Sequence, residues 1–265
     1  NYQFVHKSFG EFFVAQWLAP KLLDGSAPEM RINAEVRGFV HGLLADADWP
    51  SSPPEGVQVP EGMVWVPPGP FIYGEGEGSR VVRLERGFFI SRTPLTNTEY
   101  ARFVEATGRE SPKHWKGKTP PSELHDHPVV CVSWHEAVAY AEWAGERLPT
   151  EEEWEKAARG IDGRQYPWGD EEPRPDLCNF GRNEGGTTPV GKYSPRADSP
   201  CSCVDMAGNV WEWTANDYGD WGKVLRGGSW LNLPYYLRSA YRDGNRPGYW
   251  NVYYGFRCCV ASRQE

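Results

Sequence analysis

The C-terminal part of the chain is rich in side chains suited to molecular recognition. Between Val224 and Cys259, tyrosine, asparagine, tryptophan and a few aliphatic residues crowd together with no strand or helix period. Tyrosine offers large, rigid, amphipathic contact area, and asparagine offers adaptable hydrogen bonding, as in antibody paratopes. The segment could therefore bind a ligand at the surface. It could also form an aromatic hairpin in the core, since aromatic runs are usually buried.

Two sets of residues are interleaved in this stretch. One set resembles a framework and covers residues 226–230, 237–240 and 255–257. Within it we expect Trp230, Leu237 and Phe256 to be buried. The other set fills the gaps, and we call its fourteen positions the recognition set. Its members are Leu231, Asn232, Leu233, Tyr235, Tyr236, Tyr241, Asp243, Asn245, Tyr249, Trp250, Asn251, Val252, Tyr253 and Tyr254.

Composition limits the function. The 265 residues are 39% hydrophobic and 24% charged, which suits one globular domain with a smaller attachment. A net charge of -8 argues against nucleic acid as a partner, because phosphate binding needs a basic face. No apolar run could span a bilayer and no signal peptide is visible, although an upstream region could hide one. We expect a cytoplasmic monomer that binds a protein or another macromolecule.

The cysteines do not predict a metal site or a disulfide framework. The six are Cys131, Cys178, Cys201, Cys203, Cys258 and Cys259. Cys-x-Cys and Cys-Cys lack the two-residue gap of zinc sites. A domain of this size does not need disulfides to fold. We therefore expect mostly free thiols in a reducing compartment.

The N-terminal residues 1–49 predict helices, with apolar residues at helical spacing and a second helix near Ile32 to Leu44. Ser8 and Glu11 form a capping pattern. The string FVHKSFGEFFVAQWLA resembles the last helical segment of signalling P-loop ATPases of the NACHT/STAND class, over about sixteen residues and without a Walker motif. An ordinary amphipathic helix packed on the next domain explains it equally well. Residues 50–60, dominated by Pro and Ser, predict a linker.

Residues 61–265 predict a second domain of short strands and helices. Residues 62–69 should form a short strand ended by a turn, and further strands are expected over residues 71–73 and 87–92. Three helices should begin with capping boxes at Thr96, Ser133 and Thr150, each with a glutamate three residues later. After Gly160 we expect mostly short strands and loops.

Several long motifs in this domain occur in an informative order. PVVCVSWHEAVAYAEWAGERLPTEEEWEKAARG is followed by YPWGD, DMAGNVWEWTAN, LRGGSW and GFRC. From about Glu61 to Val260 the chain resembles the formylglycine-generating-enzyme family, that is, the sulfatase-modifying factor domain. The resemblance implies an α+β fold of the C-type lectin type.

The resemblance also implies where catalysis would reside. Enzymes of this family oxidise a sulfatase cysteine with copper held by two cysteines, and those positions fall near Asn232 and Leu237 here. Copper(I) needs soft thiolates, which neither residue offers. We therefore expect no copper and no formylglycine synthesis. The iron-dependent sulfoxide synthases of the same fold use histidines. His125, His127 and His135 are the nearest candidates, but a solvated loop explains the first two better.

Calcium is a better candidate than copper or iron. The family's oxygen ligands match Asn179 and the Phe180 carbonyl at one site, although its remaining acidic ligand has no clear match. At a second site they match Asp205, the Gly208 and Val210 carbonyls, and Glu212. Carboxylates and backbone carbonyls are calcium ligands. Alternatively, Glu212 stabilises a structural turn by hydrogen bonding.

The recognition set gains meaning from a further resemblance. The same fold serves the variable proteins of diversity-generating retroelements, in which AAY codons are randomised at adenines ahead of a GFR-like end. Thirteen of the fourteen residues are reachable from AAY in this way, and Trp250 is the exception. We predict a diversified ligand-binding surface with its variable region at 225–257. A compatible hypothesis makes this domain the sensor end of a STAND ATPase. The alternative is a metal-dependent oxidase or sulfoxide synthase of the same family.

Overall fold

The computed structural model describes residues 2–44, 47 and 52–262, with side chains from residue 9 onward. It has the mixed helix and sheet content that the sequence predicts. The five helices of these residues are α1 (Tyr2–Leu23), α2 (Ala34–Leu44), α3 (Asn97–Thr107), α4 (Trp134–Ala144) and α5 (Glu151–Arg159). The strands are β1 (Met30–Arg31), β2 (Met63–Val66), β3 (Gly69–Tyr73), β4 (Arg80–Leu84), β5 (Phe88–Ser91), β6 (Trp211–Tyr218), β7 (Gly222–Arg226), β8 (Arg242–Asn245), β9 (Tyr254–Gly255) and β10 (Cys259–Ala261).

The strands form three small sheets. Their orders are β1-β4-β3, β10-β5-β2 and β8-β7-β6-β9. All neighbours are antiparallel except β6 and β9, which are parallel. Since β7, β8 and β9 come from the C-terminal stretch, the third sheet is the scaffold of the recognition set.

The three predicted capping boxes are confirmed. The side chains of Thr96, Ser133 and Thr150 each accept a hydrogen bond from the backbone N–H of the glutamate three residues later. Each glutamate in turn accepts one from the backbone of its capping residue. Helices α3 and α4 end at Gly108 and Gly145, both left-handed. These local signals fix where the helices begin and end.

The N-terminal segment packs directly on the rest of the molecule. Strand β1 pairs with β4, so the segment adds an edge strand to the first sheet. Leu18 of α1 and Val40 of α2 share a core with Phe71 of β3. The predicted cap at Ser8 is wrong, because α1 begins at Tyr2 and Ser8 lies inside it. Glu11 instead accepts a hydrogen bond from Asn33 at 2.6 Å.

Candidate ligand-binding surface

The recognition set lies on the chain that leaves β7. A tight turn at Gly227 and Gly228, with φ of 92° and 72°, leads into a 3-10 turn over Pro234–Leu237. A Cβ on Gly228 would lie 2.6 Å from the Leu237 side chain, so only glycine allows this close approach. The chain then forms β8, crosses a loop over residues 246–253 and returns as β9. The recognition set is therefore carried by loops and short elements on a rigid sheet.

Most of the recognition set reaches solvent. Five side chains are exposed: Leu233 at 65%, Tyr235 at 57%, Tyr249 at 47%, Val252 at 46% and Trp250 at 37%. Eight more are half-buried, namely Leu231, Asn232, Tyr236, Tyr241, Asp243, Asn245, Asn251 and Tyr253. An aromatic hairpin in the core would bury these side chains, so the exposure favours a surface.

Two expectations about burial need correction. Tyr254 is only 7% exposed and packs in the main core against Trp213, with ring centres 5.3 Å apart. Because β9 pairs with β6 at this residue, its side chain points inward and supports the surface from below. Trp230, expected in the core beside Leu237 and Phe256, is half-buried, whereas the other two are fully buried.

Asn232 has a structural task. Its side-chain oxygen accepts hydrogen bonds from the Ser229 backbone N–H at 3.0 Å and the Ser229 hydroxyl at 2.6 Å. Its carbonyl accepts another from the Gly181 N–H at 2.8 Å. These bonds close the turn after Ser229, as asparagine side chains often do in loops. Asn232 can offer only its remaining amide group to a ligand.

One part of the surface is a cluster of three tyrosines. The rings of Tyr235, Tyr236 and Tyr241 contact one another edge to face, with centres 5.1 to 5.5 Å apart. The Arg238 guanidinium lies 3.8 Å from the Tyr235 ring centre, which places a cation over an aromatic face. The Tyr241 ring also reaches Trp211 of β6, with centres 6.1 Å apart. The cluster thus joins the exposed surface to the scaffold sheet.

A second cluster lies around the return loop. The Tyr254 ring contacts Tyr249 and Tyr253, with centres 6.0 and 5.0 Å away. The Asn245 amide donates to the Tyr254 hydroxyl at 3.0 Å. Burial raises the pKa of Tyr254 to about 12, so the phenol stays protonated and neutral at ordinary pH. The Lys113 ammonium lies 4.9 Å from the ring centre of Trp250 at the edge of this cluster.

Asp243 lies between the two clusters. Burial raises the pKa of both Tyr241 and Tyr253, and the Asp243 carboxylate adds to the rise at each. One negative charge thus acts on a tyrosine of either cluster. The Trp211 backbone also donates to the Tyr253 carbonyl at 2.9 Å, while its ring contacts Tyr241. Both clusters therefore contact Trp211 of β6, one through the Tyr241 ring and the other through the Tyr253 backbone.

Buried arginines hold this surface in place. Arg226 of β7 is fully buried and donates to the Ala240 and Tyr241 carbonyls at 2.8 and 2.9 Å. Its guanidinium also pairs with buried Glu155, which in turn pairs with Arg159 at 2.9 Å. A buried charge is tolerated only when it is paired and hydrogen-bonded. Arg226 therefore fixes the backbone that presents Tyr241.

Arg257 provides the corresponding anchor after β9. It is fully buried and forms a two-point ion pair with Glu212 of β6, both distances being 2.7 Å. The Trp154 indole N–H donates to the same carboxylate at 2.7 Å. Arg257 also donates to the backbone carbonyls of Arg92 and Val204. Both Glu212 oxygens thus have partners within the protein.

The predicted calcium ligands are spread over two loops and the first residues of β6. Asp205 lies in left-handed backbone, accepts a hydrogen bond from the Gly191 N–H at 2.9 Å, and has its pKa raised to about 6 by burial. The side-chain oxygen of Asn179 is buried without a hydrogen-bond partner among the described residues. Glu212 is the counter-ion of Arg257, so a cation at the second site would have to compete with that pair. Calcium binding remains a prediction.

The two residues that the sequence analysis placed near the copper positions make other contacts. Asn232 closes a turn, as described above, and Leu237 is fully buried against Tyr166 and Cys178. His127 pairs with the Thr187 hydroxyl at 3.0 Å. In the part of the chain that the structure describes, no group of three or more His, Cys, Asp or Glu side chains could hold a metal ion. All six cysteines are free and buried, as predicted for free thiols.

The surface extends beyond the recognition set. Tyr218 of β6 packs edge to face on exposed Trp221, with ring centres 5.6 Å apart, and the Arg242 guanidinium lies 5.2 Å from the Tyr218 ring centre. Together with Arg238 and Lys113, these residues border the variable-looking positions. Sequence reasoning missed them because they lie outside the compositionally unusual stretch or resemble framework. No sequence signal would have placed Lys113 beside Trp250.

The domain model for the sulfatase-modifying factor enzyme 1-like domain matches residues 50–262. This chain belongs to that family. It is 34% identical to the formylglycine-generating enzyme of Thermomonospora curvata, over 81% of this chain and 98% of that protein. It is also 35% identical to the serine/threonine-protein kinase pkn1 of Chlamydia caviae, over 74% of this chain but only 37% of that protein.

The solved structure of Treponema denticola variable protein 1 has the same fold. It superposes with a TM-score of 0.63 at 23% identity, covering 76% of this chain and 95% of that one. The predicted C-type lectin-type fold is thus confirmed. The relatives include a formylglycine-generating enzyme as well as the inactive formylglycine-generating enzyme 2 of Mus musculus. No described helix is long and apolar enough to cross a membrane.

Proposed function

We propose that this chain is a binding protein whose recognition set contacts a macromolecular ligand. The observation that carries the proposal is the division within residues 225–257. Arg226, Arg257 and the framework glycines are buried in fixed contacts, whereas thirteen of the fourteen interleaved side chains are exposed or half-buried. Tyrosine-rich surfaces of this kind provide contact area with little loss of side-chain freedom.

The proposal extends to how the surface arose. The restricted residue alphabet of the recognition set fits adenine-directed diversification, as in the variable proteins of diversity-generating retroelements. Loops that carry little of the core can change residue without unfolding the protein. The N-terminal helices would then link this sensor to a STAND ATPase region. The direct packing of α1 and α2 on β3 suits such a link, because it would transmit strain between the two.

We infer that the chain does not generate formylglycine. By the order of the family motifs, the positions of the copper-binding cysteines fall near Asn232 and Leu237, and neither residue can supply a thiolate. Incubation with copper and a sulfatase-type cysteine peptide should therefore leave the cysteine unchanged. Mass-spectrometric detection of the aldehyde would contradict this inference and favour an enzyme.

The neighbouring DNA provides the sharpest test of diversification. We expect a reverse transcriptase gene and a near-copy of the coding segment for residues 225–257. The two copies should differ at adenines of the template copy, and the differences should fall on codons of the recognition set. A neighbourhood with neither feature, together with related chains that carry identical residues at these positions, would contradict a diversified surface.

A further inference from the structure

A small cavity lies behind the tyrosine cluster, between the N-terminal helices and the scaffold of the recognition set. Its volume is about 20 Å³, enough for one water-sized occupant. The residues that line it are Arg37, Glu75, Arg159, Gln165, Arg238 and Ala240. Three arginines and one glutamate thus line a space with room for a single small particle.

Two of the three cavity arginines are incompletely paired, whereas every guanidinium nitrogen of Arg159 donates to a protein oxygen. Arg37 donates from Nη1 to the Gly163 carbonyl at 2.8 Å, but its buried Nε has no hydrogen-bond partner among the described residues. The buried Nε and Nη2 of Arg238 also lack hydrogen-bond partners there. Nη2 lies 3.1 Å from the Glu75 carboxylate, close enough for an ion pair but without hydrogen-bond geometry. A buried donor of this kind destabilises the fold unless an acceptor forms a hydrogen bond with it.

The nearby carboxylates do not neutralise the cluster. Glu75 is the one carboxylate that lines the cavity, and it lies beside Arg238. Glu155 pairs with Arg159, but it is shared with Arg226. Burial and the nearby Arg37 charge lower the pKa of Arg159, while Glu155 and the Asp162 charge oppose them, although Asp162 is itself paired with Arg164. The cluster therefore retains excess positive charge, which favours an anion over a neutral water molecule.

We propose that this cavity binds a small monovalent anion of the size of chloride, held between Arg37, Arg159 and Arg238. The anion accepts hydrogen bonds from the unpaired guanidinium nitrogens and offsets their charge. Arg37 belongs to α2, whereas the Arg238 guanidinium packs on the exposed Tyr235 ring, 3.8 Å from its centre. The bound anion thereby joins the N-terminal segment to the ligand-binding surface. This site does not depend on what the recognition set binds.

The whole 265-residue chain can be tested with bromide, which scatters X-rays anomalously. Crystals grown with bromide in place of chloride should show an anomalous peak in this cavity. In solution, chloride or bromide should raise the melting temperature by about 2–4 °C over gluconate at equal ionic strength, and the rise should saturate. Gluconate is too large to enter a cavity of about 20 Å³.

Variants separate a binding site from a merely structural role. Arg37→Gln and Arg238→Gln should each abolish the halide-dependent rise, whatever they do to the melting temperature in gluconate. Arg86→Gln, at an exposed position away from the cavity, should retain it. A cavity that holds only water, a rise that does not saturate, or a rise that survives both cavity variants would overturn the proposal.

Discussion

The framework and the recognition set share one stretch of chain but differ in how their side chains are used. Framework residues such as Arg226 and Arg257 are fully buried, charged and paired with Glu155 and Glu212. Recognition residues such as Tyr235 are exposed and contact mainly one another. The framework thus specifies the shape of the loops, whereas the recognition set determines what the loops present.

This contrast shows why a loop-rich surface can change without loss of the fold. The backbone of the tyrosine cluster is held from inside, by Arg226 on the Ala240 and Tyr241 carbonyls. None of those bonds involves a side chain of the recognition set. Exposed side chains can therefore vary while the carbonyls that fix the loop remain in place.

The largest effect should follow the loss of a framework charge. Arg257→Ala would leave the Glu212 carboxylate buried and unpaired, so we expect a loss of about 3–5 kcal/mol in the free energy of unfolding. Urea denaturation measures this directly. As a control, Arg246→Ala removes an exposed arginine of the same stretch and should change stability by about 0.5 kcal/mol or less. Similar losses in both variants would erase the distinction between buried and exposed arginines.

Within the recognition set, Tyr254 is buried and Tyr249 is exposed, so the two tyrosines should differ in their effect on stability. Tyr254→Ala should cost about 3 kcal/mol, because it empties a buried site against Trp213. Tyr249→Ala removes a ring that is 47% exposed and should cost much less. Thermal and urea denaturation of the two variants give the comparison. Equal losses would mean that the exposed tyrosines also belong to the core.

Calcium would stabilise the fold further if the predicted ligands bind it. Added calcium should then raise the melting temperature, with about 2.7 kcal/mol gained at a hundredfold excess over the dissociation constant. Asp205→Asn should weaken this response, since it removes a carboxylate ligand. A melting temperature that neither a chelator nor calcium changes would rule the site out.

The turn that starts the recognition segment should tolerate no side chain. Gly228→Ala places a Cβ 2.6 Å from Leu237 in left-handed backbone, so we expect a loss of about 1–3 kcal/mol. Gly248→Ala is the matched control, because a Cβ there meets nothing within 4 Å. If both substitutions were harmless, the close approach at Gly228 would not constrain the loop.

The sequence predicted the parts of the structure that depend on local signals. Capping boxes identified α3, α4 and α5, because each helix start is encoded within four residues. The composition of the C-terminal stretch identified fourteen positions, of which thirteen are exposed or half-buried. Strands β1 and β4 were not predicted, and their pairing joins two segments that are distant in sequence.

The contacts at the candidate site that the sequence did not reveal have the same origin. Tyr254 looks like its exposed neighbours in sequence, and only the pairing of β9 with β6 turns its ring inward. Glu212 matched a calcium ligand, but its contact with Arg257 spans 45 residues and leaves no local signal. Arg238 resembled framework, yet it stacks on Tyr235 at the surface. Tertiary contacts decide these three cases.

The most direct test of the account replaces the exposed recognition residues together. A pooled library would carry Tyr, Asn, Asp, Ser or Val at Leu233, Tyr235, Tyr249, Trp250 and Val252, and each clone would be scored for soluble protein and cooperative melting. We predict that most clones fold, with changes of about 0.5 kcal/mol per position in the free energy of unfolding. A parallel library at Gly227, Leu237 and Arg257 should yield mostly insoluble or unfolded protein. Widespread unfolding of the first library would contradict the claim that these side chains form a replaceable binding surface.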